Sequence, residues 1–238
     1  MISPFHVGTL LLFIALVFLV VASASAPGLH TLGFMKISDS SGTLVFGTFG
    51  FCVTGSRDPW YNGCSKSSVS YDIGGTVAVY YTDWEDWEYI SSLSSTSLRI
   101  LTGFLILNPI AAGLTLVAFL VALAGKRTSF LSSSMIALAA CIATLLAVTF
   151  DFVTFGIFRY LVNGFVVGPQ AEWSSATWLA LAASVLLILA TSILFQGWRS
   201  ERRKQYSIYV VPAQEATFRA DTLREADRSK AAVEEGTA

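Results

Sequence analysis

The stretch that decides the fold is Phe46-Gly47-Thr48-Phe49-Gly50-Phe51-Cys52, followed after a short polar segment by Cys64. Cys52 and Cys64 are the only cysteines outside the long apolar runs of the chain. If the segment faces an oxidising compartment, the two cysteines close a short disulfide ring, which typically contributes about 2–4 kcal/mol of stability. The alternative is a loop with two reduced thiols. The choice between them depends on the compartment, and therefore on the rest of the sequence.

The glycines and phenylalanines of this stretch predict a bent strand beside an apolar surface. Gly47 and Gly50 suit a strand that bends or lets another backbone come close. The phenylalanines supply apolar surface next to it. The predicted motif therefore consists of Phe46, Gly47, Phe49, Gly50, Cys52 and Cys64.

Composition places the chain in a membrane. Apolar residues make up 54% of the sequence and charged residues 13%, whereas a soluble domain carries about 25% charge. The apolar residues form four blocks, and each is long enough to cross about 30 Å of hydrocarbon as a helix. The sequence therefore predicts an α-helical four-span bundle with spans at 7–26, 101–124, 132–155 and 176–197.

Basic residues at the ends of the blocks predict the orientation. Lys126 and Arg127 lie between the second and third blocks, and four basic residues follow the fourth block, whereas the 27–100 loop is acidic. Basic loops stay cytoplasmic, so both termini are predicted to be cytoplasmic and the cysteine loop to lie outside. The remaining segments are a cytoplasmic N-terminus (1–6), an extracellular loop domain (27–100), a cytoplasmic loop (125–131), a second extracellular loop (156–175) and a cytoplasmic tail (198–238).

The first block has a second interpretation as a cleaved signal peptide. It ends in Ala22-Ser23-Ala24-Ser25-Ala26, which resembles a signal-peptidase site. The apolar run is long for a signal core, and no Lys or Arg precedes Lys36. These features favour a retained span.

The 27–100 loop is predicted to be a small β-rich domain. Thr43–Phe46 and Thr76–Tyr81 are rich in β-branched and aromatic residues and are interpreted as strands. Asn62-Gly63 and Gly74-Gly75 are interpreted as turns between them. A domain of this size buries too little core to be stable alone, so the disulfide and docking on the helix ends are expected to support it.

Small and polar residues in the blocks predict how the helices pack. Small residues four apart allow close approach in lipid; they occur as Ala139, Ala143 and Ala147 in the third block and as Ala176, Ala180 and Ser184 in the fourth. Cys141 is interpreted as a small packing residue.

Polar and helix-breaking residues also occur in the second and third blocks. Asn108-Pro109 is predicted to kink the second span. Asp151 and Arg159 are predicted to lie at the boundary of the third span, with burial towards the bundle as the alternative.

No pattern of catalytic, cofactor-binding or metal-binding residues is recognisable in the sequence, so an enzyme is not predicted. His6 and His30 are interpreted as inert residues at the membrane boundary. The four carboxylates of the 83–88 stretch are interpreted as solvated, with calcium binding as the minor alternative. The basic cluster Arg199, Arg202, Arg203 and Lys204 either stops transfer or also attracts anionic inner-leaflet lipids.

The motif resembles a known family. Phe46-Gly47-x-Phe49-Gly50-x-Cys52, with Cys64-Ser65 and Tyr71-Asp72, resembles the ectodomain signature of fungal PalI-type proteins, which belong to a wider claudin-like four-span group. That group includes eisosome-associated cortical-patch proteins and low-affinity calcium-influx proteins of mating yeast. The similarity continues in Leu93-Ser94-Ser95-Thr96 and in Leu107-Asn108-Pro109-Ile110-Ala111-Ala112, which favours PalI, and it covers about residues 1–195.

The resemblance implies a plasma-membrane accessory protein of the ambient-pH response, which helps a multi-span sensor reach or remain at the surface. The alternative is a structural component of cortical membrane domains, and an ion-influx component is a third. The implied partners are the lipid bilayer and a membrane protein, with no nucleic acid and no cofactor. The sequence departs from the family pattern in two places. PalI proteins often carry a long Pro/Gly-rich cytoplasmic tail, and the predicted tail here, 198–238, is short. The tryptophan of the animal claudin motif is also absent, and Phe51 stands near its place.

Overall fold

The computed structural model describes residues 4–39, 42–55, 62–80, 99–124, 130–165 and 169–197, and positions 218, 219, 222 and 224. Residues Met1–Leu194 form one compact unit and Phe195–Ala238 form a second. In the second unit, the four described positions beyond residue 217 are helical.

In the described part of the chain, the apolar segments form four long helices and one short helix, and residues 99–103 form a helical turn that leads into the second long helix. Among the described residues, the four long helices are long and apolar enough to cross a membrane, with candidate spans His6–Ser23, Arg99–Ala124, Met135–Gly164 and Ser175–Gly197. A 3₁₀ turn, Phe104–Ile106, lies inside the second span. The helices are α1 (Pro4–Ser23), α2 (Ile73–Tyr80), α3 (Leu107–Ala124), α4 (Phe130–Phe165) and α5 (Ser175–Gly197).

The helix α4 extends well past residue 155, where the third span was expected to end. It continues to Phe165, through the first part of what was expected to be the second extracellular loop. Phe155, Phe158 and Val162 follow one another at helical spacing and are all buried. The apolar face of α4 therefore continues beyond the length needed for a span.

Small residues line the contacts between the long helices. Ala15 and Leu19 of α1 pack in one buried cluster with Ala118 and Ala122 of α3, and Phe13 contacts Phe119 with ring centroids 5.5 Å apart. In α5, Ala176, Ala180 and Ser184 are buried as expected.

The small-residue face of α4 differs from the one expected. Ala147 is buried, but Ala139 is exposed and Ala143 is half-buried. The buried face runs through Ala137, Ala140, Cys141, Thr144, Ala147 and Asp151. This face alternates steps of three and four residues, as the 3.6-residue period of a helix requires.

Five antiparallel strands form one sheet at one end of the bundle. The strand order is β4-β3-β2-β1-β5, and the strands are β1 (Met35–Asp39), β2 (Gly42–Phe46), β3 (Phe51–Thr54), β4 (Gly63–Cys64) and β5 (Gln170–Trp173). The strand predicted at Thr43–Phe46 is confirmed as β2. Strand β5 comes from the segment before α5 and pairs with β1, so the sheet joins two loops that are far apart in the chain.

The strand predicted at Thr76–Tyr81 is wrong, because Ile73–Tyr80 forms helix α2. Asp72 caps this helix: its Oδ1 accepts a hydrogen bond from the Gly75 N–H at 2.9 Å. Ile73 and Val77 lie one turn apart and are both buried. The cap and the buried face together outweigh the β-propensity of Thr76, Val77 and Val79.

An aromatic core joins the sheet to α4. Phe34 stacks on Phe155 with ring centroids 5.6 Å apart, and Phe46 meets Phe158 edge-on at 6.1 Å. Phe46 also stacks on Tyr71 at 6.4 Å. The sheet domain is therefore stabilised by docking on a helix end, as its small size requires.

Candidate functional site

The two cysteines of the motif form a disulfide. Their sulfurs are 2.00 Å apart and their Cα atoms 4.0 Å apart, and Cys52 of β3 pairs directly with Cys64 of β4. Cys52 is fully buried, whereas Cys64 is exposed. Cys141, the third cysteine, is free and buried inside the bundle.

The turn between β2 and β3 docks on the end of α1. The turn is closed by the Gly47 N–H, which donates to the Gly50 carbonyl at 2.8 Å. The Thr48 N–H donates to the Ser25 Oγ at 3.0 Å, and the Thr48 hydroxyl donates to the Ala22 carbonyl at 3.2 Å. The motif therefore binds the segment that resembled a signal-peptidase site.

Both motif glycines stand where a side chain would collide with a neighbour. A Cβ at Gly47 would overlap the backbone of Ala26, and a Cβ at Gly50 would overlap the Ser65 Oγ. The predicted close approach of a second backbone is therefore found at Gly47, which lies against the segment that follows α1.

Tyr71 connects the motif to the second span. Its hydroxyl donates to the Gly47 carbonyl at 2.7 Å, and its own carbonyl accepts from the Thr102 hydroxyl at 2.8 Å. Burial raises the pKa of the Tyr71 phenol above its usual range, and the nearby charge of Asp151 raises that pKa further. The phenol therefore stays protonated and acts as a donor throughout the physiological pH range.

A buried polar pair joins α3 to α4. The Asn108 Nδ2 donates to both carboxylate oxygens of Asp151, at 3.1 and 3.0 Å, and both side chains are fully buried. Asp151 thus faces the bundle, and the boundary position expected for it is wrong. The Asn108 Oδ1 and the Thr154 hydroxyl, also buried, have no hydrogen-bond partner among the described residues.

Arg159 lies within the candidate span Met135–Gly164, near the end of α4 that carries the sheet, so its boundary position stays a prediction. Its side chain is exposed, its Nε donates to the Ala171 carbonyl at 3.1 Å, and its guanidinium lies 5.9 Å from the centre of the Trp173 ring. Asn163 binds both backbone groups of Ala171. These two side chains of α4 therefore hold β5 in place.

An open groove of about 810 Å³ lies on the sheet domain, beside the disulfide. Its walls include Phe51, Cys64 and Tyr71, and its charged residues are Asp72 and Arg99. The Arg99 Nε donates to the Ser70 carbonyl at 3.2 Å, and Asp72 caps α2. The groove is thus mixed in polarity, and both of its charged side chains already take part in local structure.

The other predicted sites have different outcomes. The 3₁₀ turn Phe104–Ile106 precedes Asn108-Pro109, but the α-helix runs on from Leu107 through Pro109 to Ala124, so the kink stays a prediction. The 83–88 stretch, the Lys126–Arg127 loop and the cluster Arg199, Arg202, Arg203 and Lys204 lie outside the described residues.

Sequence reasoning missed the position of His30. Its Nδ1 lies 3.7 Å from the Cys64 Sγ, although 34 residues separate the two in the chain. No local sequence pattern signals this contact, since it depends on how the end of α1 docks on the sheet.

Comparison with known proteins gives one family. The sequence model of the SUR7/PalI family matches residues 3–190. The uncharacterized membrane protein TOS7 of Saccharomyces cerevisiae is 27% identical over 191 residues, which is 78% of this chain and 30% of the relative. The pH-response regulator protein palI/RIM9 of Pyricularia oryzae is 30% identical over 147 residues, which is 62% of this chain and 18% of the relative.

A third relative has a similar name. The pH-response regulator protein palI/prr-5 of Neurospora crassa is 26% identical over 189 residues, which is 79% of this chain and 24% of the relative. The chain therefore spans less than a third of the length of the curated relatives it matches.

Proposed function

Since the chain belongs to the SUR7/PalI family, we propose that it is a non-enzymatic plasma-membrane accessory protein of the response to alkaline pH. In this role it binds a multi-span membrane sensor and helps that sensor reach or remain at the cell surface. The observation that carries the proposal is the extent of the family match, residues 3–190, which includes the sheet and α1, α3 and α4, together with relatives that are named pH-response regulators.

The geometry favours an adaptor over an enzyme. Polar side chains of the sheet domain form hydrogen bonds within the fold, as seen for Thr48, Tyr71 and Asp72. The buried carboxylate of Asp151 accepts two hydrogen bonds from the Asn108 side chain inside the bundle. Such an arrangement stabilises one shape of the sheet domain and spans, which is what a partner surface needs.

The lipid-facing side of the bundle offers surface for a membrane partner. Large apolar side chains are exposed along α5, including Trp178, Val185, Ile188 and Leu189. Lipid or the helices of another membrane protein can cover such a surface, and the second case is the one the proposal requires.

The proposed orientation places the sheet outside and both termini in the cytoplasm, because Lys126, Arg127 and the basic cluster flank the opposite ends of the spans. A protease-cleavable tag after Ala238 tests it in sealed, right-side-out cells. The tag is expected to be protected, and cleavage from outside would contradict the orientation.

The alternative is a structural component of cortical membrane domains, which the resemblance to cortical-patch proteins of the same four-span group implies. An ion-influx component is less favoured, since charged residues do not repeat along the described spans: Arg99, Asp151 and Arg159 are the ones present. A membrane pore for cations usually carries rings of acidic side chains or carbonyls.

A deletion strain that expresses a fluorescent sensor distinguishes the proposals. Loss of growth at alkaline pH, with the sensor retained inside the cell, is expected if the protein supports the sensor. Normal alkaline growth and normal sensor delivery, with sensitivity to wall stress and a punctate cortical pattern of the protein itself, would contradict the proposal and favour the cortical role. Re-expression of the intact chain is the control, and it should restore whichever property was lost.

A further inference from the structure

His30 is held beside the disulfide by a closed turn. The Ala26 N–H donates to the Leu32 carbonyl at 2.9 Å, and the Leu32 N–H donates to the Leu29 carbonyl at 3.1 Å. The backbone of Ala26, at the start of the turn, packs closely against Gly47. The backbone around His30 is therefore held by hydrogen bonds on both sides, and the exposed imidazole lies 3.7 Å from the Cys64 sulfur.

Three potential metal ligands converge at this point. The His30 ring nitrogen and the sulfurs of Cys52 and Cys64 all lie within 4.8 Å of one another. A tetrahedral zinc ion has ligand bonds of about 2.0–2.3 Å, which places neighbouring ligand atoms roughly 3.3–3.8 Å apart. Once the sulfurs are no longer bonded to each other, small side-chain movements bring the three ligands to this spacing.

Among the described residues, the surroundings of the three ligands leave room for a fourth ligand. A cavity of about 580 Å³, open to solvent, borders His30 and Cys64, and its other walls include Thr54 and Asn62. Water can therefore reach the fourth position of a metal held by the three side chains. A small thiol can reach the exposed Cys64 by the same route, whereas Cys52 is buried.

We propose that reduction of the Cys52–Cys64 disulfide creates a Cys₂His site for one zinc ion, with His30 as the third ligand and water as the fourth. The reductant is a small-molecule thiol. Two such thiols become one external disulfide, and the protein disulfide becomes two thiols. Zinc then displaces one proton from each thiol and keeps its oxidation state.

The site makes zinc binding and the disulfide mutually exclusive. Both link β3 to β4 through the same pair of residues, Cys52 and Cys64. Zinc therefore keeps the reduced sheet closed, and its occupancy follows the redox state of the cysteine pair. Zinc binding at this site depends on the geometry of the three side chains and does not require the role in pH signalling.

The test uses the full chain in detergent micelles with Cys141→Ser, so that Cys52 and Cys64 are the only thiols. After reduction by a phosphine and removal of the reductant, the chain is titrated with Co²⁺ and then with Zn²⁺. The reduced chain is expected to bind one Co²⁺ with thiolate-to-cobalt charge-transfer absorption, and one Zn²⁺ should displace it. The oxidised chain should show neither signal.

His30→Ala should weaken zinc binding by at least about tenfold, because it removes one of three protein ligands. His6→Ala, which changes the other histidine of the chain, should leave the affinity unchanged. No binding by the reduced chain, for whatever reason, or equal affinity of His30→Ala and the parent chain, would overturn the proposal.

A second measurement uses membranes rather than micelles. Zinc should slow the alkylation of Cys52 and Cys64 in reduced vesicles that carry the full chain, and it should slow it less in His30→Ala. Equal alkylation rates with and without zinc would count against the site even if binding is seen in detergent.

Discussion

Asn108 binds Asp151 through both carboxylate oxygens, at 3.1 and 3.0 Å, inside the helical bundle. The two residues belong to the second and third spans, and both are fully buried. Lipid offers no alternative hydrogen-bond partner, so separating the helices leaves both groups unsatisfied. The pair therefore favours one register of α3 against α4.

The first prediction concerns this pair. Asn108→Leu should destabilise the bundle more than Asp151→Leu, because it leaves a buried carboxylate without a partner. The double variant should be more stable than the sum of the single effects predicts, with a coupling on the order of 1 kcal/mol. Reversible unfolding in mixed micelles measures the four free energies of the cycle.

Thr115 supplies the control for this cycle. Its hydroxyl is buried but donates to the Ala111 carbonyl of its own helix. Thr115→Val should therefore show no coupling to Asp151→Leu. Additive effects of Asn108→Leu and Asp151→Leu would contradict the prediction, because they would show that the hydrogen bonds between the two side chains contribute no coupling free energy.

The second prediction concerns the disulfide. Cys52→Ser and Cys64→Ser should reduce delivery to the cell surface to the same degree, because each removes the same constraint of about 2–4 kcal/mol. The double variant should be no worse than either single one. Surface labelling of tagged chains measures the delivered fraction.

Cys141→Ser is the control, since this buried thiol takes no part in the bridge. It should leave delivery intact. Thiol labelling of the denatured, unreduced protein should find one reactive cysteine in the parent chain and none in Cys141→Ser; three in the parent would mean that the bridge is absent in cells.

The third prediction concerns the contact between Gly47 and the end of α1. Gly47→Ala should destabilise the protein by about 1–3 kcal/mol, because the new methyl group overlaps the Ala26 backbone, which cannot move without shifting α1. Gly113→Ala in α3 is the matched control, since a methyl group there meets nothing within 4 Å. Thermal unfolding in micelles should separate the two variants, and equal melting temperatures would refute the tight contact.

The fourth prediction concerns the basic cluster of the tail. Changing Arg202, Arg203 and Lys204 to Gln should disperse the protein from anionic-lipid domains, since each basic residue near such a surface contributes about 1 kcal/mol. The topology should not change, because Lys126 and Arg127 remain. Imaging of the tagged protein tests this; an unchanged distribution would leave the cluster with a stop-transfer role alone.

Features set by local sequence could be predicted well. The four apolar blocks and the pairing of Cys52 with Cys64 needed only composition and position in the chain. The buried stripe Ala176, Ala180 and Ser184 was also predictable. Residues four apart stay on nearly the same side of a helix over a short stretch such as the start of α5. The same rule failed in α4, where the buried face turns steadily away from any strict four-residue repeat.

Features that depend on contacts distant in sequence could not be predicted. Gln170–Trp173 has little strand character of its own, and it is extended because β1 and the side chain of Asn163 bind it. The segment after Asp72 has strand composition, but a cap and a buried face make it a helix. Burial of Asp151 depended on Asn108, which is 43 residues earlier in the chain.

The pairing of β5 with β1 also orders events during synthesis on the ribosome. Met35–Asp39 leaves the ribosome long before Gln170–Trp173 exists. At about 5–20 residues per second, the interval is on the order of ten seconds. Throughout it, one edge of β1 lacks its partner and is open to chaperones or to other chains. The sheet is completed only after the third span has been made. A nascent chain that fails to insert this span therefore keeps an unpaired edge on β1, which chaperones can recognise.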